Sequence, residues 1–530
     1  MTGANWFARA KLVMSEFGRL GIRHIPDAPA LPIRDPWPGD PARGARIMRG
    51  EFDHLGGARA IKLGGWNDPA GSVLVRSALH GFAWLRDLRS LGSDGARARA
   101  RALVQDWITA PSHDPIANQP DVMGTRIAAW LAHYDFFAAS ADDHYRQRLM
   151  AKLLSDARAL AMAIPVEYND GRALCALKGL IAVATAIPDH EALLQRALKF
   201  LPGELSRQVS HDGMHRERSP AAHLAALQNL IEIRAMLQAA QAPAPQSLAG
   251  IIERMSVALR LLRHGDGGLA LFNGTIEVSP SLIEQVLTQS GRAGRMVVAL
   301  EDGGFTRLQA GRTVVIADSG APPPKGLDRF AHAGTLSFEL SAGRERLIVN
   351  CGARPGAISE WHDALRSTAA HSTLVVGDTN SSEIEPGGLG RRVGRVSISR
   401  QETNGGQLLD MTQDGWSHTL GLLHHRRLYL AAGGDDLSGE DMMEGDAPYG
   451  GVVRFHLHPN VQANLQQDRE AVLMRLPLGS FWRFRAEGGL LAIEESIYFG
   501  ADEPRRSEQI TITIPSDGPQ RTTWSFSRLG

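Results

Sequence analysis

The hydrophobic pattern of this chain changes its period once, near Gly304, and that change limits the possible folds more than any other feature. Before it, apolar residues recur with the helical period of about 3.6 residues, whereas after it they alternate with the strand period of about two. The predicted helices are Ser77–Leu91, Ala96–Thr109, Asp121–Ala138, Asp142–Ile164, Gly171–Ile187, Glu191–Ser210, Ser219–Gln241 and Gln246–Leu262. Many antiparallel helices of this length predict a toroid or solenoid. A haem or iron bundle is the weaker alternative, because no Glu-x-x-His pair repeats.

The second half of the chain predicts an all-β domain. Its predicted strands are Thr313–Ala317, Thr335–Leu340, Glu345–Val349, Ser372–Val376, Arg395–Arg400, Arg426–Leu430, Val452–His458, Ala471–Leu476, Phe481–Ala486, Leu490–Ser496 and Glu508–Ile514. Gly-rich or Asn-rich turns separate them without intervening helices, which indicates a large antiparallel sandwich. We therefore expect a multidomain α+β protein, with an N-terminal incomplete (α/α) toroid followed by a β-sandwich. The expected limits are an N-terminal extension at 1–40, the toroid at 41–275, a linker at 276–303 and the sandwich at 304–530.

Charge and cysteine content restrict the class of partner. Lys plus Arg and Asp plus Glu each total 57, so the formal net charge is zero. A protein that binds nucleic acid usually carries a basic excess to offset the phosphate charge, so we expect no nucleic-acid partner. The two cysteines, Cys175 and Cys351, lie far apart and form no C-x-x-C pair, which fits a reducing compartment.

The N-terminus from Met1 to Ile22 predicts an amphipathic helix in which charged residues alternate with apolar ones. The segment lacks the uninterrupted apolar stretch of a signal peptide, so we expect no signal peptide. No apolar run reaches the roughly 20 residues that a membrane-spanning helix needs. The expected location is therefore the cytoplasm, with the periplasm or export as alternatives.

Three ordered segments resemble motifs of the heparinase II/III-like polysaccharide lyases. The first, Asp212–Pro220, reads D-G-M-H-R-E-R-S-P and is similar to the family's D-G-G-H-x-E-R-S-P. The second, Ala331–Leu340, reads A-H-A-G-T-L-S-F-E-L and resembles its H-A-H-A-D-x-L-S-F-E-L hairpin. The third, Arg366–Thr373, reads R-S-T-A-A-H-S-T and is similar to R-S-T-A-A-H-N-T. The resemblance spans most of the chain from about Pro38 onward and implies the toroid-plus-sandwich fold.

The resemblance also implies β-elimination next to a uronic acid in an acidic oligosaccharide or polysaccharide. A cation or hydrogen-bond donor must neutralise the uronate carboxylate, because this stabilises the enolate-like charge formed when the C5 proton leaves. A base takes that proton, and an acid, commonly Tyr, protonates the departing glycosidic oxygen. Arg172 matches the toroid position at which the family has Asn or His, and an arginine can pair with a carboxylate. The other candidate catalytic residues are Tyr168, His215, Glu217, Arg218, His332 and His371.

Two groups of the family are missing from their usual positions. The family's Tyr follows E-R-S-P, where this chain has Ala221-Ala222-His223, and the first His of H-A-H is Phe330. Tyr168 is the nearest substitute for that Tyr, because it is close to Arg172 in sequence. Residues expected to contact substrate are Arg126, Trp130, His223, Trp361 and His362. Each candidate also has an ordinary interpretation as a core, capping or surface residue, and for Glu217 and Arg218 that interpretation is a structural salt bridge.

A metal site is also implied by the resemblance. In relatives, the second His of H-A-H, the Asp of the following strand and the His of A-A-H can hold zinc, and the matching residues are His332, Asn350 and His371. Asn in place of Asp removes a charged ligand. We therefore expect no required cofactor, and a structural zinc is the alternative to a hydrogen-bonded histidine pair that fixes the hairpin.

Three functions are compatible with these residues. The first is β-elimination on an acidic glycan. The second is glycoside hydrolysis on the same scaffold, for which Asp212, Glu217 and Glu339 supply carboxylates, two of which would lie about 5 to 10 Å apart. The third is a non-catalytic glycan-binding or envelope-assembly protein, which the missing Tyr and the Phe330 replacement favour. The sequence identifies neither the glycan nor the oligomeric state.

Overall fold

The computed structural model describes residues 25–110, 113–291, 294–357, 360–403, 405–445, 449–500, 503–518 and 520–529. The amphipathic helix predicted for Met1 to Ile22 lies outside these residues. The chain divides into two units, each packed mainly against itself. The helical unit comprises Met1–Arg207 and Gln228–Gly250, and the β unit comprises Gln208–Leu227 and Ile251–Gly530.

The first half of the chain is helical, as the period predicts. Its helices are α1 Pro41–Arg49, α2 Val73–Gly81, α3 Leu85–Ser90, α4 Asp94–Thr109, α5 Pro120–Ala132, α6 Tyr134–Phe137, α7 Asp143–Ala163, α8 Arg172–Ala186, α9 Glu191–Gln208, α10 Pro220–Ala239, α11 Gln246–Leu261 and α12 Pro280–Ser290. Asp142 caps α7 by accepting a hydrogen bond from the backbone N of Tyr145 at 2.8 Å. The helix predicted for Ser77–Leu91 is two helices, because Phe82 adopts a left-handed φ of 57° between them.

Glycine residues allow α5 and α8 to pack with their backbones in contact. A Cβ on Gly179 would lie 2.3 Å from the Cα of Gly124, and one on Gly124 would lie 2.2 Å from the carbonyl oxygen of Cys175. Real Cβ atoms do not approach other atoms so closely, so a larger residue at either position would separate the helices. This close packing sets the distance between residues at the beginnings of the two helices.

The strands of the second half are β3 Ala299–Leu300, β4 Phe305–Ala310, β5 Thr313–Asp318, β6 Phe338–Ala342, β7 Glu345–Val349, β8 Leu374–Val376, β9 Ile384–Glu385, β10 Gly388–Leu389, β11 Val396–Thr403, β12 Gly406–Trp416, β13 Leu422–Leu430, β14 Asp436–Gly445, β15 Gly451–Leu457, β16 Gln462–Leu465, β17 Ala471–Arg475, β18 Phe481–Glu487, β19 Leu490–Tyr498, β20 Arg505–Ile514 and β21 Arg521–Leu529. An earlier hairpin, Glu51–His54 with Gly57–Ala60, provides β1 and β2. All eleven predicted strands overlap strands of the structure.

Two antiparallel sheets form the sandwich of the β unit. One has the strand order β11-β12-β13-β14-β21-β18-β17-β16, and the other has the order β19-β20-β15-β7-β6-β5-β4-β3, with β8 paired to β15. Apolar residues of both sheets, such as Leu409 and Val453, bury each other in one core. Strand β14, with the sequence DLSGEDMMEG, was not predicted, because Gly and acidic residues are rare in strands. Pairing with β13 and β21 on both sides overrides that preference.

Among the residues that the structure describes, no helix is both long enough and apolar enough to span a membrane.

Candidate functional site

The beginnings of α5 and α8 bring Asp121, Tyr168, Asp170 and Arg172 together in the helical unit. Arg172 is the first residue of α8, and the carboxylate of Asp170 accepts hydrogen bonds from its backbone N at 3.1 Å and from its Nε at 2.9 Å. The guanidinium of Arg172 lies over the ring of Tyr168, 4.1 Å from the ring centre, in a cation–π contact. Within the described part of the chain, the Nη atoms of Arg172 form no hydrogen bond and remain available to an anion.

The proton affinities of this group depart from their ordinary values. Burial, and after it the negative charge of Asp121, raises the pKa of Tyr168 to about 12, and the two side chains share a hydrogen bond. Burial also raises the pKa of Asp121, although the charge of Arg172 opposes this effect. The Oδ1 atom of Asp121 is buried and has no hydrogen-bond partner among the described residues. A neutral phenol, an adjacent carboxylate and an oriented guanidinium can together bind an anion and move a proton.

The histidines of the E-R-S-P turn are buried inside the β unit. The backbone N of His215 donates a hydrogen bond to Nδ1 of His223 at 3.2 Å, and Nε2 of His223 donates to the carbonyl oxygen of Met255 at 2.9 Å. Burial lowers the pKa of His223 to about 4. Both imidazoles are 0% exposed, and the roles of His223 in contacting substrate and of His215 in proton transfer stay predictions.

Arg218 is held by the protein through all five of its N–H groups. Its Nη2 lies 2.5 Å from Oδ1 of Asp318 in a buried salt bridge. Its other hydrogen bonds run to backbone carbonyl oxygens of Gly303, Gly304, Gly320 and Ala321. A guanidinium whose donors are all engaged has none left for a substrate carboxylate. These contacts fit the structural interpretation of Arg218, and its contact with substrate stays a prediction.

The carboxylates considered for hydrolysis also serve the fold of the β unit. Glu339 is 0% exposed, and its carboxylate lies 2.9 Å from Nε2 of His264 and accepts the backbone N–H of Asn350 at 3.0 Å. Asp212 accepts hydrogen bonds from the backbone N of Met214 at 3.1 Å and of Gly303 at 2.8 Å. These contacts fit a structural role for Glu339 and Asp212, and their catalytic roles stay predictions. Glu217 is half-buried, with Oε1 3.8 Å from Nδ1 of His215, so its role stays a prediction.

The hydrogen bonds of His332 and His371 define where their protons lie. Nδ1 of His371 is 2.7 Å from the carbonyl oxygen of Ser367, and because a carbonyl oxygen can only accept, that nitrogen carries the proton. Nε2 of His371 therefore accepts from Nδ1 of His332 at 2.9 Å. Nε2 of His332 in turn accepts the backbone N–H of Gly274 at 3.0 Å. Burial lowers the pKa of His371 to about 4 and that of His332 well below its usual range, so both rings are neutral.

These hydrogen bonds do not fit a zinc site at His332, Asn350 and His371. A metal needs an imidazole lone pair, and each lone pair of the two rings already accepts a hydrogen bond. The side chain of Asn350 donates to Glu339 at 3.3 Å and accepts from the backbone N of Ser372 at 3.0 Å. No group of three His, Cys, Asp or Glu residues that could hold a metal occurs within the described ranges. The interpretation of these histidines as a hydrogen-bonded polar pair fits the structure instead.

Arg126 and Trp130 of α5 are core residues of the helical unit. Both are 0% exposed. Nη2 of Arg126 lies 2.8 Å from Oδ2 of Asp156, and its guanidinium lies 4.3 Å from the centre of the Trp107 ring. Neither residue reaches solvent in this structure, and the lining of a sugar groove by Arg126 and Trp130 stays a prediction.

Trp361 and His362 belong to a short helix, Trp361–Ala364, in the β unit. Trp361 is 38% exposed, and its ring centre lies 5.3 Å from that of Phe499. Burial lowers the pKa of His362. Both side chains are accessible, so their predicted contact with substrate stays a prediction.

Two carboxylates of the α5–α8 group were not singled out from the sequence. Asp121 looked like an ordinary acidic residue in the first turn of a helix, where it also stabilises the helix dipole. Asp170 precedes α8 and looked like a helix-start residue. The spacing Asp170-x-Arg172 was the available signal, because a carboxylate at that position can orient the guanidinium that follows it.

Family models match nearly the whole length of the chain beyond its first hundred residues. The model described as heparinase II/III N-terminus matches residues 105–290, and the model described as heparinase II/III-like, C-terminal, matches residues 292–525. A relative with curated information, FtsZ-localized protein C of Caulobacter vibrioides, is 33% identical over 503 residues, which are 90% of this chain and 86% of the relative.

Solved structures share the fold. A crystal structure of heparinase III superposes with a TM-score of 0.73 at 14% identity, covering 99% of this chain and 90% of that chain. Heparan sulfate lyase HepC from Pedobacter heparinus superposes with a TM-score of 0.62 at 17% identity, covering 98% of this chain and 88% of that chain. These similarities confirm the expected fold class, an (α/α) toroid followed by an antiparallel β-sandwich.

Proposed function

The chain belongs to the heparinase II/III-like family, and on that premise we propose that it binds a uronic-acid-containing glycan and cleaves it by β-elimination. The observation that carries the proposal is the guanidinium of Arg172, which lies 4.1 Å from the centre of the Tyr168 ring. This arrangement holds a cation and a proton-transfer group side by side, as elimination next to a carboxylate requires.

Arg172 binds the uronate carboxylate in this proposal. Its Nε is occupied by Asp170 at 2.9 Å, which orients the guanidinium and leaves the Nη groups for two parallel hydrogen bonds to the carboxylate. Pairing the carboxylate with a cation lowers the energy of the enolate-like state that follows loss of the C5 proton. The N-terminus of α8, where Arg172 lies, adds a favourable partial positive charge.

Tyr168 transfers the proton, and Asp121 assists it. The phenol oxygen takes the C5 proton while its own proton passes to the hydrogen-bonded Asp121, whose raised pKa makes it a better acceptor than an ordinary carboxylate. The C5–H electron pair forms the C4=C5 double bond, and the C4–O bond breaks. The departing oxygen takes the proton from Tyr168, and Asp121 returns its proton to the tyrosine.

A direct experiment is to supply the purified full chain with heparan sulfate, alginate and glucuronan and to follow the near-ultraviolet absorbance of an unsaturated uronate. We expect absorbance to appear with at least one polymer. Arg172→Gln should lower kcat/KM by about 100-fold or more. Arg158→Gln, which changes an exposed arginine on α7, is the matched control and should leave the rate unchanged. Absence of the signal with every acidic glycan would rule out the lyase.

A second function is supported by the 33% identity to FtsZ-localized protein C and by the neutral histidine pair of the β unit. It is a non-catalytic glycan-binding or envelope-assembly protein that localises with FtsZ. Such a protein would bind an acidic glycan through Arg172 without changing the chain length of the glycan. A fluorescent fusion that follows FtsZ in dividing cells, combined with glycan binding and no absorbance change, would support it over the lyase.

A further inference from the structure

The helical unit contains a cavity of about 750 Å³ at the C-terminal end of α5. Its wall includes Arg34, Asp35, Trp37, Arg86, His133 and Tyr134. None of its lining residues belongs to the group of Asp121, Tyr168 and Arg172. Asp121 is in the first turn of α5, so at a rise of about 1.5 Å per residue it lies about 18 Å along the helix from His133. The cavity is therefore separate from the proposed elimination site.

The charged groups of the wall leave an excess of one positive charge. Nε of Arg86 lies 2.9 Å from Oδ2 of Asp35, and Arg89 forms a two-pronged salt bridge with Asp135 at 2.8 and 2.9 Å. Arg34 forms no hydrogen bond or ion pair within the described ranges, and its side chain is exposed at the cavity. Three guanidinium groups thus face two carboxylates, which leaves the charge of Arg34 for a ligand.

A buried imidazole in the same wall, that of His133, lies against Asp35. His133 is 2% exposed, and its Nε2 lies 3.2 Å from Oδ2 of Asp35. Its Nδ1 is buried and has no hydrogen-bond partner in the described part of the chain. Because this nitrogen is buried, His133 contributes its contact with Asp35 to the wall and does not offer Nδ1 to a ligand.

Two aromatic residues of the wall are fixed by hydrogen bonds at their polar ends. Nε1 of Trp37 donates to Oε1 of Glu232 at 2.6 Å, and the hydroxyl of Tyr134 donates to the carbonyl oxygen of Asp27 at 3.1 Å. Their ring carbons therefore provide rigid apolar surface beside the charged groups. A cavity that combines apolar aromatic wall with a few polar groups is the usual form of a small-ligand site.

We infer that this cavity binds an acidic sugar of one or two units, with its carboxylate on Arg34 and its C–H faces against Trp37 and Tyr134. The single excess charge matches a monoanion rather than a highly charged polymer. The volume lies in the range of about 300 to 1,000 Å³ typical of sites for small ligands.

Two monosaccharides that differ only in the carboxylate test the inference. Methyl β-glucuronide and methyl β-glucoside contain no linkage that elimination could cleave, so their binding to the full chain, measured by ligand-observed NMR, is independent of the lyase proposal. We expect the glucuronide to bind at least about tenfold more tightly than the glucoside, because a charge-assisted contact contributes about 1.5 kcal/mol or more. Both sugars are also measured with Arg172→Gln, which lacks the other arginine proposed to bind a uronate carboxylate. In that protein Arg34→Gln should remove the remaining preference, and Arg158→Gln should retain it.

Arg172→Gln separates this cavity from the proposed elimination site. It should lower the elimination rate and keep a preference for the methyl glucuronide, which then comes from the cavity, whereas Arg34→Gln alone should leave the elimination rate unchanged. Equal binding of the two sugars by the unmodified protein would overturn the inference. A preference for the glucuronide that survives the combined Arg34→Gln and Arg172→Gln substitutions, or that is lost completely in Arg172→Gln alone, would also overturn it, because the carboxylate would then bind elsewhere.

Discussion

In the β unit, His332 donates its Nδ1–H to Nε2 of His371 across 2.9 Å, and this bond makes the two rings one neutral, fully hydrogen-bonded pair. The remaining nitrogens are engaged by the backbone of Gly274 and Ser367. The histidines that the family motifs supply therefore stabilise the β unit in this chain. In the proposed elimination, proton transfer is assigned to the group around Tyr168 in the helical unit.

The histidine pair should contribute to stability without a metal. His332→Ala leaves the backbone N–H of Gly274 and Nε2 of His371 without their present partners, so we expect the free energy of unfolding to fall by about 2 kcal/mol or more. Urea denaturation measures this change, and His418→Ala, at an exposed histidine of the same unit, should have little effect. A chelator should leave the Tm unchanged. A Tm that falls with chelator and recovers with zinc would contradict this assignment.

Tyr168→Phe should separate catalysis from binding. The substitution removes the hydroxyl that faces Asp121 and keeps the ring on which the Arg172 guanidinium packs. We expect kcat of the elimination to fall by about 100-fold or more with KM nearly unchanged, because proton transfer is lost while carboxylate binding is retained. Steady-state kinetics on the best glycan measures both constants. An unchanged kcat would assign proton transfer to another residue.

His223 should make the β unit sensitive to mild acid. Its folded pKa is about 4, whereas an unfolded histidine has a pKa near 6.5. Below pH 6.5 the unfolded chain binds the additional proton, so stability is lost as the pH falls from about 6.5 towards 4. Each such histidine contributes about 1 kcal/mol per pH unit over that window.

His223→Gln tests this pH dependence, because the amide can still donate to Met255 and accept from the backbone N of His215. Urea denaturation at pH 7 and pH 5 should show a smaller loss of stability in the variant, by about 1 kcal/mol per pH unit. His418→Gln, at an exposed histidine, should keep the steeper dependence of the unmodified chain. Identical slopes in all three proteins would show that His223 does not titrate over this window.

Gly179→Ala should damage both stability and the elimination site. The new methyl group would lie 2.3 Å from the Cα of Gly124 and would force α8 away from α5, which separates Asp121 from Tyr168 and Arg172. We expect a loss of about 1 to 3 kcal/mol together with a reduced rate of elimination. Gly203→Ala is the matched control, because no atom lies within 4 Å of its added Cβ and alanine favours the helix. Equal effects of the two substitutions would contradict the close packing.

Much of the fold could be predicted from local pattern. The strand predicted at Glu345–Val349 has those limits in the structure, because a short apolar run after a glycine turn defines it locally. The strand Arg521–Leu529 was not predicted, since it pairs with β14 and β18, which are distant in sequence. Gly406–Trp416 was also not predicted, although it pairs with its two neighbours in sequence. The domain limits at 41–275, 276–303 and 304–530 stay a prediction.

Arg126 and Arg172 show what sequence alone leaves open. Both lie in apolar helices, but Arg126 is fully buried against Asp156, thirty residues away, while Arg172 is half-buried beside Asp170. The sequence by itself determined the two halves, the family motifs and the loss of the usual Tyr. Only the tertiary structure decided which candidates reach solvent and which lone pairs are occupied, because burial and hydrogen bonding depend on contacts between residues far apart in the chain.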